Sequence, residues 1–145
     1  AKPGRLELAA SFSDIRPVNV AREDVRDVMH ELGITDGFGV ALEMSGAPAA
    51  IHQAADCLRM GGGLAMLGIP ASSTEVSWAD MILKAITIRG VYGREMFETW
   101  RKMLGLIHGG LDLEPIITHR FAAADFVTAF ETMRSGSSGK VVLRW

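Results

Sequence analysis

Few residues in this sequence could do chemistry unaided. His30, His52 and His108 fall on the polar sides of helical patterns, and none of the four histidines has a metal-ligand partner at a spacing such as HExxH. His119 follows an apolar extended stretch beside Arg120, where a functional role and simple packing both stay open. The single cysteine, Cys57, has no companion for a disulfide or a ligand pair, and in its alanine-rich helix it reads as a small buried hydrophobe. No catalytic and no metal-binding residue can be assigned. The local signals that remain lie at strand ends. Leu67-Gly68-Ile69-Pro70 closes an apolar run, where ligands of open α/β sheets bind. Gly68 there either serves a turn or leaves room for a flat ring. Gly90-Val91-Tyr92-Gly93 repeats the arrangement one strand later. Glu43 sits inside another apolar run, so its charge must be paired, reach solvent at the strand end, or face a ligand crevice.

These positions need elements to hold them, and the hydrophobic pattern supplies them. Arg5 to Phe12 reads as helix, with Leu8 and Phe12 on one face. Pro17–Val20 is a short strand candidate. Val25, Val28, Met29 and Leu32 repeat at helical spacing, and Gly33 is placed to close that helix. Phe38 to Met44 has the near-continuous apolar character of a strand buried on both faces. Pro48 opens a helix through Ile51, Ala54, Ala55 and Leu58, and Gly61–Gly63 then reads as its C-terminal turn before a strand from Leu64 to Ile69. A helix over about 78–85, a strand over 86–92, and a long amphipathic helix through Phe97, Trp100, Leu104 and Ile107 follow, stopped by Gly109-Gly110. Pro115 to Thr118 is extended. A last helix through Phe126, Ala129, Phe130 and Met133 ends near Gly136, before a strand from Val141 to Leu143.

Strands alternating with helices predict an α/β fold with a parallel sheet. The 145 residues carry a formal net charge of −2, are 48% hydrophobic and 22% charged, and include eight methionines and sixteen glycines. That balance gives no basic face for nucleic acid or an acidic membrane. No apolar run reaches the roughly 20 residues of a membrane span. With no secretory pattern at the start, a reducing, cytoplasmic setting is expected. The G-x-G-x-x-G phosphate loop and its following acidic residue are absent, and Gly61–Gly63 has the wrong order for one, since it follows a helix and precedes a strand. The chain also opens in a helix rather than in the central strand of a doubly wound sheet, so a missing upstream portion is expected.

Several strings are more specific than their physics. Arg5 to Ala9, LEMSGAP (42–48), AMLGIP (65–70), GREMFETW (93–100), PIITHRF (115–121) and MRSGSSGKV (133–141) together resemble the zinc-dependent medium-chain dehydrogenase/reductase family, in its branch acting on L-threonine. The resemblance covers essentially the whole chain and corresponds to the C-terminal part of that family's subunit. It implies a partial Rossmann-like doubly wound sheet over residues 1–110, lacking the first strand and phosphate loop. Residues 111–145 would then return to an absent GroES-like catalytic domain.

The implied activity is hydride transfer from the β-carbon of L-threonine to NAD, giving 2-amino-3-oxobutanoate, with zinc acting as a Lewis acid in the N-terminal part. The resemblance places Arg5 at the adenosine ribose, where a guanidinium hydrogen-bonds and stacks. Leu67, Gly68, Ile69, Val91 and Tyr92 would line the nicotinamide, and Lys140 matches a cation position near the pyrophosphate in related alcohol dehydrogenases. The start, Ala1-Lys2-Pro3-Gly4, departs from the family's pattern. A homotetramer is implied, paired through sheet edges such as the strand Ile86–Val91. Two other readings stand beside this one: a sibling alcohol or polyol dehydrogenase, and a non-catalytic nucleotide-binding module. On the main reading, these 145 residues alone show no dehydrogenase activity and bind NAD very weakly, and calorimetry returning tight binding would contradict it.

Overall fold

A computed structural model describes residues 2–12 and 14–145, so Ala1 of the divergent opening lies outside the described residues. The fold is α/β with parallel sheets. It divides into two compact units, one spanning Asp24–Arg94 and the other joining the residues up to Glu23 with Glu95–Trp145.

The Asp24–Arg94 unit holds a three-stranded parallel sheet in the order β1 (Phe38–Glu43), β2 (Leu58–Met66), β3 (Thr87–Gly90). Helix α2 (Val25–Glu31) precedes it, α3 (Pro48–Cys57) connects β1 to β2, and α4 (Trp78–Leu83) connects β2 to β3. The Asp24 side chain caps α2 by accepting from the Arg26 amide at 2.7 Å. Gly33, at φ +70°, ends it as expected, with its amide on the His30 carbonyl and the Ile34 amide on that of Met29. Val28, Met29, Ile51, Cys57, Leu58, Leu64 and Met81 form the buried core of this unit.

Two expectations fail here. The triple glycine is not a helix-ending turn: it lies within β2. Phe38 pairs with Leu58 and Val40 with Gly63, so residues 59–62 bulge opposite Gly39, and Gly61 adopts φ +70° there. Helix α3 has no need of a glycine cap, because the Lys84 ammonium donates to the Ala55 and Asp56 carbonyls at 3.1 and 2.8 Å. β1 is also not buried on both faces. Ala41 is half-buried and Glu43 buried, but Val40 and Leu42, pointing the other way, are 66% and 63% exposed. Within the Asp24–Arg94 unit, among the described residues, α3 packs on β1 and β2, and the face bearing Val40 and Leu42 is open.

In the other unit, α1 (Pro3–Ala10) and α5 (Glu98–His108) are helical as expected, and α5 closes at Gly109-Gly110. A two-stranded parallel sheet pairs β4 (Ile117–Ala122) with β5 (Lys140–Arg144), connected through α6 (Phe126–Ser135). Gly136 terminates α6 at φ +70°. Pro17–Val20 is not a strand. The Arg22 and Glu23 amides fold back onto the Asn19 carbonyl, and the Glu23 carboxylate takes both the Asn19 amide and the Arg16 guanidinium. Pro115 and Ile116 belong to a 3-10 turn (Glu114–Ile116) rather than to an extended segment.

Ala85 follows α4 at φ +50°, where its amide and that of Ile86 close the helix on the Ile82 and Met81 carbonyls. A β-carbon in this left-handed position costs about 1 kcal/mol. Ala85→Gly is therefore expected to raise stability by about that amount in chemical denaturation, and an unchanged or lower midpoint would contradict the cap assignment.

Candidate functional site

Register brings the strand ends together. Glu43 pairs with Met66, and Met66 with Gly90, so β1, β2 and β3 finish level and their following loops leave from one edge. In a parallel sheet this carboxyl edge is where ligands bind. The Val91 amide continues the pairing by donating to the Met66 carbonyl at 2.8 Å.

At the end of β1 the Glu43 side chain turns inward and is only 3% exposed. Its carboxylate accepts from the Ser45 amide at 2.9 Å, the Ser45 hydroxyl at 2.5 Å, and the Gly46 amide at 3.1 and 3.0 Å. Its backbone carbonyl accepts from the amides of Leu67 and Gly68 at 2.8 and 3.1 Å. Two glycines let these loops interlock. A β-carbon on Gly68 would lie 2.1 Å from the Gly46 nitrogen and 2.4 Å from a Glu43 carboxylate oxygen. One on Gly46, at φ +71°, would lie 2.5 Å from the Ile69 carbonyl oxygen. Hydrogen bonding from Ser45 holds the Glu43 carboxyl below its usual range, against the opposing effect of burial and with help from the Gly46 and Ser45 amides. Of the three readings open for Glu43, solvent exposure at the strand end is ruled out.

The residues expected at a nicotinamide lie at this edge. Leu67, Ile69 and Val91 are exposed, Gly68 is half-buried, and Tyr92 is 94% exposed. Gly68 lacks a side chain because Gly46 and Glu43 occupy that space, so on this side it serves loop packing. Beside Gly90, by contrast, a β-carbon would meet nothing within 4 Å, which leaves open surface next to Val91 and Tyr92. Backbone groups with apolar neighbours and open surface fit one side of a flat heteroaromatic ring.

Arg5 belongs to the other unit, on α1, where its Nε donates to the Ser138 carbonyl at 3.1 Å. Lys140 is the exposed first residue of β5. His30, His52 and His108 are exposed on α2, α3 and α5, in keeping with surface positions. His119 lies on β4, stacked 6.2 Å from Phe121 and bonded to the Thr118 hydroxyl at 2.8 Å. Cys57 is buried, and burial pushes its thiol pKa up, as an inert packing residue requires. Among the described residues no group of three or more His, Cys, Asp or Glu could hold a metal ion. The described residues therefore do not fit a zinc centre. Among them no helix is long and apolar enough to cross a membrane.

The interlock of Glu43, Gly46 and Gly68 is the part that sequence reasoning missed. Its signal was a buried-type strand ending in Glu, followed at two and three positions by Ser and Gly, the donors that a carboxylate-lined turn needs.

Comparison with known proteins places this edge in context. The zinc-binding dehydrogenase family profile matches residues 1–109. L-threonine 3-dehydrogenase of Escherichia fergusonii is 58% identical over 141 residues, covering 97% of this chain and 41% of that protein. The chain thus spans about two-fifths of the length of the curated relatives it matches. Among solved structures, 2R,3R-butanediol dehydrogenase from Bacillus subtilis superposes with a TM-score of 0.86 at 22% identity, over 99% of this chain and 42% of that one. Alcohol dehydrogenase TADH from Thermus sp. ATN1 superposes at 0.83 with 28% identity, over 99% and 43%.

The hydrogen bonds to Glu43 make stability acid-sensitive. A carboxylate whose folded pKa is depressed contributes stability that is present above its unfolded value, near 4.5, and is lost as pH falls through the folded value. Glu23, held low by Arg16 and the Asn19 amide, acts in the same direction. Denaturation of Glu43→Gln between pH 7 and pH 3 is expected to show a shallower loss of stability than the parent, with the Glu23 part remaining. Parallel pH profiles would show that Glu43 is not held as described.

Proposed function

The chain belongs to the zinc-binding dehydrogenase family, and on that premise we propose that it forms the rear, cofactor-orienting part of an NAD-dependent L-threonine 3-dehydrogenase. The observation that carries the substrate assignment is the identity to L-threonine 3-dehydrogenase across nearly the whole chain. The level carboxyl edge of β1–β3 supports the cofactor assignment.

In this reading, L-threonine loses a hydride from its β-carbon and a proton from its hydroxyl, giving 2-amino-3-oxobutanoate, NADH and H⁺. NAD supplies the electron acceptor. The backbone of Leu67, Gly68 and Ile69, with Val91 and Tyr92, orients the carboxamide and fixes which ring face meets the substrate. Arg5 contacts the adenosine ribose and Lys140 lies near the pyrophosphate. Zinc would be held by residues outside this chain, where it would supply Lewis-acid polarisation of the substrate hydroxyl. Residues beyond about Gly110 return to a catalytic domain, and the subunits assemble as a cytoplasmic homotetramer.

The likeness to alcohol dehydrogenase TADH, at 28% identity, favours one competing reading, an alcohol or polyol dehydrogenase. The full-length protein should decide between them by NADH formation. A site that hydrogen-bonds the amino and carboxylate groups of threonine is expected to prefer it over 2,3-butanediol by about 10⁴-fold in kcat/KM. Preference for the diol, or no NADH from threonine, would sink the threonine assignment.

A further inference from the structure

We propose that Glu43 is a positioning residue for the nicotinamide, acting through the loops that follow β1 and β2. The inference rests on the cofactor reading above and assigns Glu43 a part that packing alone does not require.

One residue binds both loops. The side chain of Glu43 gathers Ser45 and Gly46, while its backbone carbonyl gathers Leu67 and Gly68. The absent β-carbons of Gly46 and Gly68 then bring the two loops into direct backbone contact. The loop after β1 cannot shift without breaking hydrogen bonds to a buried charge, and the loop after β2 cannot shift without breaking those to the backbone carbonyl of the same residue.

Peptide geometry carries this fixity to the crevice. In a planar trans peptide the carbonyl points opposite the N–H. The Leu67 amide donates to Glu43, so the Met66 carbonyl points toward β3, where the Val91 amide takes it at 2.8 Å. The Gly68 amide also donates to Glu43. By the same rule the Leu67 carbonyl is directed away from β1, toward the side where Val91 and Tyr92 leave β3 and Gly90 leaves open surface. A carboxamide NH₂ is the chemical partner for a carbonyl so placed. Glu43 thus sets the direction of the acceptor that would read the carboxamide.

A carboxylate suits this task better than an amide. It presents acceptors on both oxygens to the Ser45 and Gly46 donors, whereas the NH₂ of a glutamine would face an N–H or force the loop to turn. Aspartate would be too short by one methylene to reach the same donors.

The test uses the full-length protein, with NAD⁺ titrated by calorimetry well below each variant's unfolding temperature and with kcat and KM for NAD⁺ measured separately. Glu43→Gln should weaken NAD⁺ binding and raise KM about tenfold. Ser45→Ala removes one exposed donor, so it keeps the fold and decides the matter if Glu43→Gln does not fold. It should move in the same direction by a smaller factor, and Ser45→Thr, which restores the hydroxyl, should recover parent affinity. Variants that lose thermal stability yet bind and turn over NAD⁺ like the parent would overturn the positioning role and leave the cofactor reading intact. A parent protein that binds no NAD⁺ would overturn both.

Discussion

A carboxylate taken out of water must be given donors, and in this chain that requirement falls on the last residue of the first strand. Glu43 is buried, and its charge is held by amide and hydroxyl donors from Ser45 and Gly46. Meeting the requirement bends the chain sharply after β1, sets Gly46 at positive φ, and brings that turn against Gly68. The same residue's carbonyl anchors the exit of β2, and the Met66 carbonyl anchors that of β3. The carboxyl edge of the sheet is therefore a chain of contacts that begins at one residue, through its buried charge on one side and its backbone carbonyl on the other. Apolar packing of Leu64, Ile51 and Met81 holds the sheet beneath it, but does not fix where the loops above it point.

Within the Asp24–Arg94 unit, among the described residues, the sheet that carries this edge is covered on one face only. Val40 and Leu42 project from the other face into open surface, although parallel strands are ordinarily covered on both sides. The curated relatives are more than twice as long as the chain, and the family profile covers residues 1–109. Among the described residues no cluster of His, Cys, Asp or Glu is suited to holding a metal.

Much of this was legible in the sequence, for reasons that differ by element. β1 and the second half of β2 declare themselves as apolar runs, and Gly33, Gly109-Gly110 and Gly136 mark helix ends because positive φ or a lost side chain is a local matter. The triple glycine misled because composition reveals conformational freedom but not who satisfies the helix carbonyls. Lys84, far along the chain, does that for α3 and frees the glycines for a bulge. Pro17–Val20 has strand-like residues, but a strand needs a ladder partner, and Glu23 offers nearer ones. Gly68 was visible as a small residue at a strand end. Its contact with Gly46 depends on strand register, which no local pattern encodes.

On the proposed role of Glu43, the loops it pins present the Leu67 carbonyl to the nicotinamide. A structure of the full-length protein with NAD⁺ bound tests it most directly, through the distance from the carboxamide nitrogen to the Leu67 carbonyl oxygen. The expected result is a hydrogen bond of about 3 Å, with Val91 and Tyr92 beside the ring. A nicotinamide seated away from this edge, with the Leu67 carbonyl facing solvent, would contradict it.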